Sequence, residues 1–85
     1  MPDICLRYMA RFSEVSQCAE EQLDVPAETF SELVEYLDKR YSGFGKMLYN
    51  KGGERHVAVL RRDGQKTKFP LPDEVILNGD RFGFF

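Results

Sequence analysis

Apolar and polar residues alternate from the start of the chain, with the period of a half-buried strand. In Ile4-Cys5-Leu6-Arg7-Tyr8-Met9, the residues Ile4, Leu6 and Tyr8 share one face, and Cys5 and Arg7 share the other. Phe12 and Val15 follow in a more polar stretch that suits one short helical turn. Residues 19–25 alternate again, with Leu23 and Val25 inward and Glu20, Gln22 and Asp24 outward. Pro26 ends this second strand, because proline has no amide hydrogen to give to a ladder.

The pattern then changes to that of a helix. Thr29-Phe30-Ser31-Glu32 has the form of a capping box, in which the Thr29 hydroxyl accepts from the Glu32 amide and Glu32 reaches back. Phe30, Leu33, Val34, Leu37 and Tyr41 recur on one helical stripe, with Asp38, Lys39 and Arg40 off it. Gly43 stands where a left-handed C′ residue closes a helix. Residues 44–49 predict a second short helical turn anchored by Met47 and Leu48, and Asn50-Lys51-Gly52-Gly53 is a loop by composition. Residues 56–60 predict a third strand with Val57 and Val59 inward. Asp63-Gly64 is a turn that sends the chain back along residues 65–69, and Pro70-Leu71-Pro72 keeps it extended. Residues 77–80 form a further turn. It feeds a closing strand at 81–85, with Phe82 and Phe84 facing one way and Gly83 and Phe85 the other.

Strand, strand, helix and then strands is the order of a β-grasp roll. The expectation is an α+β fold of the ubiquitin-like type: one domain over residues 1–85, with a mixed sheet of four to five strands and one main helix on one face. The expected core is Ile4, Leu6, Tyr8, Leu23, Val25, Phe30, Leu33, Val34, Leu37, Val57, Val59, Phe82 and Phe84.

Length and charge narrow the picture. At 85 residues there is room for one domain and not for a large enzyme with a deep cleft. No apolar stretch approaches the ~18 residues that a membrane span needs. Asp3, Arg7 and Arg11 interrupt any leader-like segment, so a cytoplasmic protein without membrane contact is expected. Cys5 and Cys18 are too few for a metal quartet and are expected as reduced thiols. A net charge of −2 argues against nucleic-acid binding by bulk charge. The charge is uneven, however. Residues 51–68 hold Lys51, Arg55, Arg61, Arg62, Lys66 and Lys68 against Glu54 and Asp63. That cluster reads either as a solvated hairpin face or as a docking surface for an acidic partner.

Catalytic chemistry is not advertised. His56 has no serine, cysteine or carboxylate at a recognisable spacing and reads as a partly buried or edge histidine, not a general base. Gly52-Gly53 is not followed by the Gly-Lys-Ser/Thr of a phosphate loop, and Asn78-Gly79-Asp80 lacks calcium-loop spacing. The expectation is a protein that is not an enzyme, with no catalytic residue, no cofactor and no metal.

Three stretches together resemble the MoaD/ThiS family, the small subunit of molybdopterin synthase and the thiamine-pathway sulfur carrier. They are Ile4-Cys5-Leu6-Arg7-Tyr8-Met9-Ala10-Arg11-Phe12, Thr29-Phe30-Ser31-Glu32-Leu33-Val34-Glu35-Tyr36-Leu37 with Tyr41, and Leu77-Asn78-Gly79-Asp80-Arg81-Phe82-Gly83-Phe84-Phe85. The resemblance implies a sulfur-carrier-like protein of cofactor biosynthesis. Such a protein docks on a larger synthase subunit and on a ubiquitin-activating-type enzyme. The family's closing strand runs into a flexible tail ending in Gly-Gly, whose carboxylate is adenylated and converted to a thiocarboxylate. The sequence reaches Phe85 where that tail begins, so no residue of it inherits the carrier site. Two readings stand: a carrier lineage, or a ubiquitin-like protein-interaction module that has lost sulfur transfer. In either, the resemblance implies that parallel pairing of the first and last strands brings Phe85, Met9 and Cys5 together on a partner-binding surface. A frayed terminus with a loosely packed Phe85 ring is the plainer alternative.

Overall fold

The alternating segments from the two ends of the chain meet in the middle of one sheet. A computed structural model describes residues 2–48 and 58–85, and of Met47 the backbone alone. The strands are β1 (Asp3–Tyr8), β2 (Glu20–Asp24), β3 (Ala58–Arg61) and β4 (Arg81–Phe84). The helices are α1 (Arg11–Ser16), α2 (Phe30–Arg40) and α3 (Phe44–Leu48). The strand order is β2-β1-β4-β3, with β1 parallel to β4 and both outer pairs antiparallel. This is the expected mixed β-grasp sheet. Its central parallel pair needs a long crossover, because a tight turn joins only antiparallel strands.

The apolar faces make a single core. Ile4, Leu6 and Tyr8 of β1 and Phe82 and Phe84 of β4 are buried beneath Phe30, Leu33, Val34 and Leu37 of α2. Phe12 and Phe44 close one end, with Phe44 edge-on to Phe84 at 5.0 Å and Phe12 5.2 Å from Phe44. Phe30 stacks on Phe82 at 5.7 Å. One acid joins this face. Glu21 lies in phase with Leu23, and its Oε1 accepts from the hydroxyls of Tyr8 and Tyr41, each at 2.7 Å. Burial, and then the bond to Glu21, hold the Tyr8 hydroxyl far above the ordinary tyrosine range.

The start of α2 has its amides satisfied from two sources. Thr29 is the N-cap, and its Oγ1 accepts from the Glu32 amide at 3.3 Å. The return reach of Glu32 goes to the amide of Glu28, also at 3.3 Å. The amides of Phe30 and Ser31 donate to the carbonyls of Glu74 and Pro72, so the segment after Pro72 straps the helix start. At the other end Tyr41, not a glycine, is the C-cap. Gly43 does take a positive φ of 89°, but in the following turn, where the Phe44 amide donates to the Tyr41 carbonyl.

Three further expectations change. The third strand has the opposite phase: Ala58 and Leu60 are buried and Val59 faces outward. The reason is the register with β4, which sets Ala58 beside Phe84 and Leu60 beside Phe82. An unbroken apolar run has no alternation to fix its phase, whereas the phenylalanines do. Residues 65–69 form no strand; a single bridge links Leu60 and Lys68 before the proline-bounded stretch. Leu23 is half-buried, packed against the edge of the core. Val57, His56 and the loop from Asn50 to Gly53 lie outside the described residues.

Asp80 is a buried carboxylate, only 2% exposed. Its Oδ1 accepts from Arg62 Nε at 2.8 Å, and its Oδ2 accepts from the second Arg62 nitrogen at 3.0 Å and from the Leu77 amide at 2.9 Å. That fork ties the turn after β3 to the turn before β4. Among the described residues no buried side-chain polar atom lacks a partner.

Leu37 is fully buried in the α2 stripe. Leu37→Ala is expected to lower stability by about 2–5 kcal/mol, read as a shifted midpoint in a denaturant melt. An unchanged midpoint would remove Leu37 from the core.

Candidate functional site

Burying one face of the sheet fixes what the other face presents. Across its outer side runs one row of Glu20, Arg7, Gly83 and Val59, and beside it a row of Gln22, Cys5, Arg81 and Arg61. Met9 and Phe85 extend β1 and β4 by one residue each, and the Met9 amide donates to the Phe84 carbonyl at 2.8 Å.

Gly83 is the gap in the first row. It does not sit in the left-handed region, so the backbone does not call for glycine there. A Cβ at Gly83 would come within 3.3 Å of Val59 Cγ2. The missing side chain leaves the floor of the sheet open. The result is a half-open concavity of about 580 Å³. Its apolar lining includes Met9, Val59 and Phe85, and its rim carries Arg7, Arg61 and Arg81 against Glu20. Phe85 is 47% exposed, whereas Met9 and Cys5 are half-buried.

Of the residues expected from the sequence, Phe85, Met9 and Cys5 all line this concavity, Met9 next to Phe85 and Cys5 farther back along β1, opposite Arg81. The arginines, Val59 and Gly83 were not part of that expectation as a set. Their signal was the outward phase of each strand, legible for Arg7 and Gly83 but obscured in the apolar run of β3. His56 lies outside the described residues. A further group of exposed apolar side chains, Leu71, Val75 and Leu77, lies along the segment that straps α2.

Cys5 is a free thiol whose Sγ lies 3.3 Å from Glu20 Oε1, as donor. Burial first, and then the bond to Glu20, push its pKa up; Arg81 and Arg7 oppose this weakly. A raised thiol pKa lowers the thiolate fraction and with it the nucleophilicity of Cys5. Among the described residues no group of three metal-ligating side chains comes together, and no helix is long and apolar enough to cross a membrane.

No family model and no curated protein sequence matches the chain. Solved structures do. A Pyrococcus furiosus protein described as a molybdopterin converting factor, subunit 1, superposes with a TM-score of 0.72 at 23% identity, over 100% of this chain and 97% of that one. Small archaeal modifier protein 1 of Haloferax volcanii superposes with a TM-score of 0.70 at 17% identity, over 100% and 97%. A further structure, of SAMP1 from Haloferax volcanii, gives 0.66 at 18%, over 98% and 92%. The chain has the ubiquitin-like β-grasp fold of these small proteins.

The Cys5 environment is directly measurable. The rate of alkylation at Cys5, mapped by peptide mass, is expected to keep rising beyond pH 9.0, the ordinary value for a thiol. Glu20→Gln removes the carboxylate charge and should move that profile to lower pH. A wild-type profile that levels off below pH 9.0 would contradict the described environment.

Proposed function

We propose that the chain is a sulfur-carrier-like protein of cofactor biosynthesis, similar to the molybdopterin synthase small subunit. It works in the cytoplasm by docking on a larger enzyme subunit or on a ubiquitin-activating-type enzyme, not by catalysis of its own. The observation that carries this reading is where the closing strand delivers the chain. β4 runs along the concavity from Arg81, beside Cys5, and reaches its rim at Phe85, beside Met9. A partner seated there meets the segment leaving β4 as well as the sheet. The fold likeness to a molybdopterin converting factor subunit, which spans the whole chain, supports the same reading. Phe85, Met9 and Cys5 are then partner contacts, with the exposed ring as the anchor, since aromatic side chains dominate the centres of interfaces.

A second reading is a ubiquitin-like protein-interaction module without sulfur transfer. The fold likeness to small archaeal modifier protein 1 favours it. The native C-terminus separates the two. Intact mass spectrometry of the protein isolated from its own cells is expected to show a chain that continues past Phe85 to a Gly-Gly end, with a terminal thiocarboxylate, one oxygen replaced by sulfur, in a fraction of the molecules. A plain carboxylate in every molecule, under conditions of active cofactor synthesis, would leave the interaction module.

A further inference from the structure

The basic residues clustered in the sequence between positions 51 and 68 part company in the fold. Arg62 turns inward to Asp80 at 2.8 Å, and Lys68 pairs with Glu74 at 3.1 Å. Arg61 goes to the outer face, where the register sets it directly opposite Arg81. Arg7 joins them from β1 on the rim of the same concavity. Like charges placed opposite each other on a sheet destabilise it. The chain as a whole carries −2, so folding has no need to gather cations here.

Their compensation within the chain is slight. Arg81 reaches Asp63 at 2.7 Å, but the Asp63 side chain is 96% exposed, and such pairs contribute little. Arg7 and Arg61 make no ion pair among the described residues. Glu20 stands opposite Arg7 in the register but accepts from the Cys5 thiol. Between the arginines the floor is uncharged: Val59, Gly83 and Phe85.

We infer that this outer face takes an acidic protein segment. Carboxylates on that segment meet Arg7, Arg61 and Arg81, and one apolar side chain seats over Gly83 against Val59 and Phe85. The inference rests on the docking proposed above and specifies the chemistry of the partner. Protein suits the site better than single-stranded nucleic acid, which stacks successive bases on successive aromatic rings. Phe85 is the one exposed ring in this lining.

The test is a titration of the isotope-labelled full chain, followed by amide NMR. The probe is a blocked synthetic peptide with one leucine between two pairs of glutamates, and its control replaces each glutamate with glutamine. The acidic peptide is expected to shift the amides of Arg7, Arg61 and Gly83. It should bind about tenfold more tightly than the neutral one, and added salt should narrow that gap. Arg7→Gln combined with Arg61→Gln should erase most of the difference; should that variant not fold, the salt dependence of the wild type decides. Equal binding of both peptides at Gly83 overturns the acidic partner yet leaves docking intact, and the thiocarboxylate measurement does not depend on the arginines. Shifts confined to other surfaces also overturn the inference. So does a uridine oligonucleotide that shifts the same amides more strongly than the peptide, or self-association that covers the face before any peptide binds.

Discussion

β1 and β4 lie side by side and parallel at the centre of the sheet, and only one phase of each strand buries its large side chains. That phase pairs Leu6 with Phe82 and Tyr8 with Phe84 on the inner face. A slip of one residue would turn Arg81 inward and expose both phenylalanines, an exchange no small core could absorb. The same register therefore dictates the outer face, with Cys5 beside Arg81 and Arg7 beside Gly83. The candidate site follows directly from how the core is packed. The Glu21 carboxylate, gripped by two tyrosine hydroxyls under the end of β1, and the Asp80–Arg62 fork, at the start of β4, hold this central pair from its two ends.

Where the sequence alternates strictly, the fold could be read in advance. β1, the α2 stripe, the Thr29 cap and the Phe82–Phe84 phase are such cases, because each carries a strong local pattern whose burial agrees with it. β3 could not be phased, since valine, alanine, valine and leucine suit either face and only the phenylalanines across the ladder decide. Glu21 was unreadable for a different reason. An acid in the inward phase looks like an edge residue until two tyrosines from separate elements are found to donate to it. The bridge at Lys68 likewise depends on where Pro70 leads the chain.

The site was legible in part. Phe85, Met9 and Cys5 could be placed on one face because the order of elements implies a parallel first and last strand, although the register sets Cys5 opposite Arg81 and not next to Phe85. The cationic rim was hidden because its members come from three strands, and the basic run in the sequence pointed to Arg62 and Lys68, which turn away to Asp80 and Glu74. What this face offers is shape, charge and an exposed ring on a rigid support.

Site-specific photocrosslinking in the native cell reports whether a partner docks on the outer face of the sheet. A photoreactive phenylalanine analogue placed at position 85 keeps the size and apolar character of the ring, and the same analogue at Glu35, on the exposed side of α2, serves as the control. Docking through this face predicts a discrete adduct with one larger enzyme subunit from position 85 and none from position 35. An adduct formed equally from both positions, or from position 35 alone, would contradict docking through the outer face of the sheet.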